Sequence, residues 1–319
     1  MKRRQFLRLL AASGISAAFP AIARPDDEPI AKKTYVYKTV GNCPIKADVY
    51  RASNGDARPV VMWIHGGALI MGDRGGVDRK LRDRLLKAGY TIVSIDYRLA
   101  PETKLPAIWE DVEDAYKWIR EKGPEIFGVS ANKVTVMGGS AGGYLTLNAG
   151  VRLKPRPAAL VSFWGYGDIA GTWYSRPDIH YCHAPLVSKE EAYRSVGHAI
   201  ISEASGRNRS RFYLYCRQQG LWANEVAGLD PDKDAKPLAA YCPIRNITAA
   251  YPPTLLIHGT SDTDVPYAQS EAMAKELART GVRHELISAE GGHGLGGVKP
   301  EVISNIHDRV LAFTNKHMR

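Results

Sequence analysis

Cysteine is scarce in this sequence of 319 residues, with only Cys43, Cys182, Cys216 and Cys242 present. None stand in C-x-x-C spacing, which excludes zinc ribbons and thioredoxin-type redox chemistry. Three of the four fall between 182 and 242. In an oxidising compartment a disulfide inside that segment therefore competes with buried free thiols, and the sequence leaves both open. There is no Pro/Ser-rich linker, low-complexity run or internal repeat, so nothing divides the chain into an array or into separate domains. No apolar run is long and unbroken enough for a stable membrane span. Histidines spaced H-x-x-x-H or H-x-H are also missing, and a metal centre loses its usual ligand pattern. What is present is ordinary globular composition, 45% hydrophobic and 24% charged, with length for one large core.

The N-terminus departs from this pattern. Residues 1–23 read MKRRQFLRLLAASGISAAFPAIA, a basic head of Lys2, Arg3, Arg4 and Arg8 followed by a mildly apolar stretch. Ala21-Ile22-Ala23 has the form of a cleavage site. Arg3-Arg4-Gln5-Phe6-Leu7 resembles the twin-arginine export motif, an address read by a translocase. The expectation is a leader over 1–23 and a protein that folds in the cytoplasm and works in the periplasm or outside. The competing reading is an uncleaved amphipathic anchor, against which Gly14, Ser16 and Pro20 interrupt the apolar stretch. The formal net charge is +10, and losing the leader's four basic residues leaves +6. That excess is spread thinly with no Lys/Arg run, so nucleic acid is not an expected partner.

Along the remainder, Thr34–Val40 and Ile45–Tyr50 alternate polar and apolar residues around Gly41-Asn42 and predict an antiparallel opening hairpin. Pro59–Ile64 is continuously apolar, as expected of a strand buried on both faces of a parallel sheet. Strands are further predicted at Thr91–Ile95, Lys133–Met137, Ala159–Trp164, Thr254–His258 and His284–Ile287. Helices are predicted at Asp78–Lys87, Trp109–Lys122, from Ala141, at Ala268–Thr280 and over about 300–316. Trp109–Lys122 is amphipathic, with Val112, Ala115, Tyr116 and Ile119 on one stripe and its carboxylates on the solvated face. Strands alternating with helices after a hairpin give an eight-stranded, mostly parallel α/β sheet with helices on both faces. The stretch 165–253 far exceeds the roughly 10–12 residues a crossover needs. It is rich in aromatics, with helical patterns at Lys189–Ser202 and Arg209–Trp222, and predicts a cap inserted after the sixth strand. Its aromatics line a substrate pocket or form a satellite core, the second being the simpler fate of most of them.

Chemistry concentrates after the strands. Gly138-Gly139-Ser140-Ala141-Gly142 has the G-x-S-x-G form at a strand-to-helix corner. There the backbone closes on itself, and positions two before and two after the serine have no room for a Cβ. The serine stands exposed at a helix N-terminus, where free N–H groups stabilise developing negative charge. His65-Gly66-Gly67 follows another strand, and adjacent glycines let backbone N–H groups approach a substrate oxygen. His65 is expected to hold that loop. The charged run Asp96 to Glu102 is expected to form a network beneath it. Ser140, Asp262 and His293 each follow a predicted strand at one sheet edge. A serine hydroxyl needs a histidine to accept its proton and an acid to orient the imidazole. Asp264 competes with Asp262 for the acid, and His258 with His293 for the base. The four of them make a chemically conceivable metal set without metal-ligand spacing.

From about residue 59 to 317 the chain resembles the hormone-sensitive-lipase-like esterases and carboxylesterases of the α/β-hydrolase fold. The resemblance is carried by His65-Gly66-Gly67, Asp96-Tyr97-Arg98-Leu99-Ala100-Pro101, Gly138-Gly139-Ser140-Ala141-Gly142-Gly143, His258-Gly259 with Asp262 and Val265-Pro266, and Gly292-His293. It implies that Ser140 attacks an ester carbonyl, that Asp262 is the acid and His293 the base, and that Gly66, Gly67 and Ala141 N–H groups form the oxyanion hole. A small-molecule ester is then the substrate, and no cofactor is implied. The family often has a third glycine where this chain has Ala68, and a longer N-terminal cap than 24–58 supplies. The short N-terminus also resembles bacterial esterases of acetylated or feruloylated polysaccharide. The alternatives are a prolyl-oligopeptidase-type peptidase, for whose propeller the chain has no room, and a non-catalytic binding module, which typically lacks the base.

Overall fold

The computed structural model describes residues 30–52 and 58–318. The expected leader, 1–23, lies outside the described residues. The hairpin forms from β1 (Ile30–Val40) and β2 (Cys43–Ala52), and β3 (Arg58–Ile64) follows. From there strands and helices alternate: α1 (Arg79–Lys87), β4 (Thr91–Ile95), α2 (Leu105–Glu121), α3 (Gly123–Phe127), β5 (Val129–Gly139), α4 (Ala141–Arg152) and β6 (Ala159–Phe163). The eight strands make one sheet in the order β1-β2-β4-β3-β5-β6-β7-β8. Only the β1/β2 and β2/β4 pairings are antiparallel, and the other five are parallel.

The apolar run of β3 shows why both faces are covered. Val60, Met62 and Ile64 join one core with α2, α4 and the cap, while Val61 and Trp63 join a second core against α1 and α11 (Pro300–Met318). Side chains alternate across a strand, so a strand without polar positions needs a helical layer on each side.

Between β6 and the pair β7 (Thr254–Gly259) and β8 (His284–Ala289) lies the cap, built from short pieces. They are α5 (Thr172–Ser175), α6 (Ile179–Cys182), α7 (Lys189–Tyr193), α8 (Gly206–Gln219), a π-turn at Ala223–Ala227 and α9 (Ala235–Ala239). α10 (Ala268–Arg279) joins β7 to β8. The helical pattern expected to run to Ser202 stops at Tyr193. Beyond it the backbone pairs with loops at the sheet edge instead, Leu99 N–H donating to Ile201 O and Gly72 and Ala204 exchanging both of their bonds. Most cap aromatics are core: Tyr166, Tyr174, Phe212 and Trp222 are fully buried. All four cysteines are free thiols, so no disulfide joins the 182–242 cluster; Cys43, Cys216 and Cys242 are buried, and Cys182 is exposed. No helix among the described residues is long and apolar enough to cross a membrane.

One expectation about α2 is corrected. Asp111 is not on a solvated face but fully buried. Its carboxylate accepts from Arg98 Nε and Nη2 at 2.7 and 2.8 Å and from Arg98 N–H, and Lys38 Nζ stands 2.8 Å away. These bonds tie α2 to β1 and to the segment after β4, and they are the network expected of Arg98. Removing one partner of a buried pair leaves the other charge uncompensated, which costs more than the pair itself contributes. Asp111→Ala is therefore expected to lose about 3–5 kcal/mol of unfolding free energy in urea. Asp114→Ala, which removes the exposed partner of the same lysine, is expected to lose no more than about 1 kcal/mol.

Candidate active site

Ser140 is the corner between β5 and α4, with φ 56° and ψ −122°. A non-glycine residue in the left-handed region costs on the order of 1–3 kcal/mol and persists only where its surroundings impose it. Here the backbone imposes it. A Cβ on Gly142 would stand 2.0 Å from Ile64 O, and one on Gly138 would stand 2.4 Å from Gly142 O. The close approach inferred from the spacing is thus made against β3 as well as within the turn. Ser140 N–H donates to Phe163 O of β6 at 2.9 Å, which fixes the corner laterally.

Two loops from neighbouring strands complete the arrangement. Asp262 follows β7 and its Oδ1 accepts from the N–H groups of Asp264 and Val265 at 2.8 and 2.9 Å. Its Oδ2 lies 2.8 Å from His293 Nδ1, and His293 Nε2 lies 3.1 Å from Ser140 Oγ. The three side chains that the sequence scattered over half its length therefore stand in series. With Nδ1–H donating to Asp262, the neutral imidazole presents its Nε2 lone pair to the serine hydroxyl.

His258, the competing base, is turned away from the serine. Its Nε2 faces Asp262 Oδ2 at 3.2 Å and Val265 O at 3.0 Å, two acceptors that make this nitrogen the donor, while Nδ1 accepts from Ser270 Oγ at 2.7 Å. Burial pushes the Asp262 carboxyl up, but hydrogen bonds from His258 and His293 and the backbone override it and hold the group well below the usual carboxylate range. Burial pushes His293 down, and the Asp262 hydrogen bond together with the Asp264 and Asp262 charges reverses this, so its pKa is raised.

The His65-Gly66-Gly67 loop packs against the elbow closely enough that a Cβ on Gly66 would meet Gly139 O at 2.8 Å and Ser140 Cβ at 3.1 Å. His65 is buried, stacks on Tyr97 with centroids 4.2 Å apart, and donates from Nδ1 to Gly66 O at 2.7 Å. Burial lowers its pKa to about 4, so it is neutral and holds the loop. Ala68 adopts φ 56°, the left-handed conformation that a third glycine would take without strain. Its carbonyl accepts from Trp222 Nε1 of the cap at 3.0 Å. An open cleft of about 490 Å³ runs along the loop, lined by His65, Gly66, Gly67, Met71, Asp73 and Gly206. The N–H of Ala141 is the first of α4, one of the four that a helix leaves without an internal partner.

Asp264, the competing acid, does not occupy the acid's place but borders the same imidazole. Its Oδ2 is 3.3 Å from His293 Nε2. Its Oδ1 accepts from Tyr181 and Tyr213 hydroxyls and from Arg217 Nη1. Arg217 is fully buried, and its guanidinium lies 4.6–5.8 Å from the rings of Trp173, Tyr174, Tyr181 and Tyr213. The sequence reading did not single out Arg217, because one arginine in a helical pattern carries no signal until the facing loop is placed.

A family model described as the alpha/beta hydrolase fold matches residues 61–294. A non-reducing polyketide synthase of Penicillium brevicompactum is 30% identical over 340 aligned positions, which cover 90% of this chain and 15% of the synthase. The chain thus spans about a seventh of that relative's length. A Staphylococcus aureus protein of unknown function superposes with a TM-score of 0.72 at 22% identity, covering 91% of this chain and all of that one. A hyperthermophilic esterase from Pyrobaculum calidifontis superposes at 0.65 with 25% identity, covering 92% and 87%.

Because carboxylates outweigh burial at His293, its imidazolium is expected to persist above the ordinary histidine midpoint of about 6.5. Asp262→Asn removes the stronger partner and lets burial act, so an NMR titration of the His293 ring is expected to show the midpoint falling by about one unit or more.

Proposed function

On the premise that the chain belongs to the α/β-hydrolase fold family, we propose that it is a serine carboxylic-ester hydrolase acting on small to medium esters. The observation that carries this reading is the series Asp262–His293–Ser140, with bonds of 2.8 and 3.1 Å, closed against a glycine loop. In this reading His293 Nε2 takes the Ser140 proton as Oγ attacks the ester carbonyl, and Asp262 stabilises the imidazolium. The N–H groups of Gly66, Gly67 and Ala141 receive the developing oxyanion. His293 returns the proton to the departing alkoxide. It then deprotonates a water that attacks the acyl-enzyme, releasing the carboxylic acid and restoring the serine. The twin-arginine-like pattern in residues 1–23 supports the further reading that it acts outside the cytoplasm.

The likeness to a stretch of polyketide synthases favours a second reading, in which the acyl donor is a thioester attacked by the same serine. Matched thioester and oxoester substrates rank the two by kcat/KM. Ser140→Ala is expected to lower turnover of a chromogenic short-chain ester by about a thousandfold or more with unchanged thermal unfolding. A fluorophosphonate probe is expected to label the wild type at Ser140. Unchanged turnover in the variant overturns the proposal, and cleavage of an aminoacyl anilide but not of esters replaces it with a peptidase.

A further inference from the structure

His293 has two carboxylates. Asp262 takes Nδ1, as the proposed chemistry requires, but Asp264 Oδ2 stands 3.3 Å from Nε2, the nitrogen that must accept the serine proton. Ser140 Oγ is 3.1 Å from the same nitrogen. The Nε2–H of an imidazolium thus has two acceptors, and one of them is an anion. When the ring is neutral its Nε2 lone pair faces the Asp264 oxygen, which is unfavourable, and the serine hydroxyl is then the only donor of the two.

The carboxylate cannot swing away, because its other oxygen is held by three donors from the cap, Tyr181 of α6 and Tyr213 and Arg217 of α8. Arg217 Nη1 also donates to Asp264 O at 2.9 Å, so the backbone is held as well. Asp178 binds Arg217 from its far side. Of the remaining neighbours, the Trp164 ring meets His293 edge-on at 6.3 Å, His258 bonds Asp262, Val265 O and Ser270, and the Arg217 charge opposes the carboxylates by acting to lower the His293 pKa.

We propose that Asp264 is a positioning residue that competes with Ser140 for the Nε2 proton of His293. This rests on the serine-hydrolase reading of the same site. Below the His293 midpoint the proton stays on Nε2, shared toward Asp264, and the serine has no base. Above it, one proton leaves to solvent and Nε2 accepts from Ser140 Oγ. During acylation the Ser140 hydroxyl proton passes to Nε2, and Asp264 then stabilises the imidazolium. The carboxylate therefore moves activity to higher pH and strengthens the base that acts there.

The test is Asp264→Asn, which keeps an acceptor for the two tyrosines and removes the charge. The His293 midpoint by NMR and the acid limb of kcat/KM against pH are expected to fall together by about one unit, with a lower plateau. A purely structural role would lower activity without moving either midpoint, and that result overturns the inference. Tyr181→Phe is the second variant, informative even where Asp264→Asn does not fold. Losing a donor on Oδ1 leaves more negative charge on Oδ2, so both midpoints are expected to rise, and no rise overturns the inference. The NMR titration needs no turnover. A midpoint that moves in a protein hydrolysing no ester upholds the Asp264 contact and overturns the hydrolase reading. An unmoved midpoint in an active enzyme overturns the Asp264 contact alone.

Discussion

The arrangement at the sheet edge depends on two pieces of backbone meeting without side chains between them. Gly142, the second residue of α4, approaches the carbonyls of Ile64 and His65 so closely that a Cβ there would stand 2.0 and 2.5 Å from their oxygens. The consequences run both ways. The corner is forced into a left-handed conformation at Ser140, which lifts the hydroxyl out of the sheet. The same contact brings the strand leading into the Gly66-Gly67 loop against the helix start. Substituting side chains elsewhere on the rim changes electrostatics, whereas filling this contact changes where the serine is.

On that fixed corner the electrostatics are layered. Asp262 is saturated: two backbone N–H groups occupy one oxygen, and two histidines occupy the other. A carboxylate so surrounded remains ionised despite burial, and it has little freedom to rotate away from His293. His258 contributes through that saturation and not through proton transfer, because its own nitrogens are committed to Asp262, Val265 O and Ser270. The His293 ring is consequently oriented at Nδ1 by a rigid partner, while its Nε2 faces Ser140 and Asp264.

Much of this was legible in the residues. A continuous apolar run marks β3, which is covered on both faces, and period-two alternation marks the half-exposed opening hairpin. The G-x-S-x-G spacing announced the corner because only glycine fits such an approach. What local pattern could not show is where charge is buried. Asp111 sits among carboxylates on an amphipathic helix and reads as solvated, yet Lys38 and Arg98 from distant segments enclose it. The stretch after Tyr193 reads as helix until Gly72 and Leu99 offer its backbone other partners, a tertiary override of propensity. Asp264 was visible as a candidate acid. Its place on the far nitrogen of the imidazole depends on Arg217, Tyr181 and Tyr213, which lie far away in sequence.

The cap is bonded to the rim at separate loops and is not a detachable lid. Trp222 binds Ala68 beside the glycine pair, Arg209 binds Ala100 O and Glu102, and Arg217 binds Asp264. Each of these side chains is buried, so lifting the cap as a body would break these bonds together and expose the apolar surface packed around them. The cost of lifting falls on the loop that carries Gly66 and Gly67 and on the loop that carries Asp264. The open cleft along the His65–Gly76 loop is present without any such lifting. Because the cap supplies every side-chain donor on Asp264 Oδ1 among the described residues, whatever shifts α6 or α8 against the loop after β7 also alters the charge facing His293. Cap and His293 are in this way a single electrostatic unit.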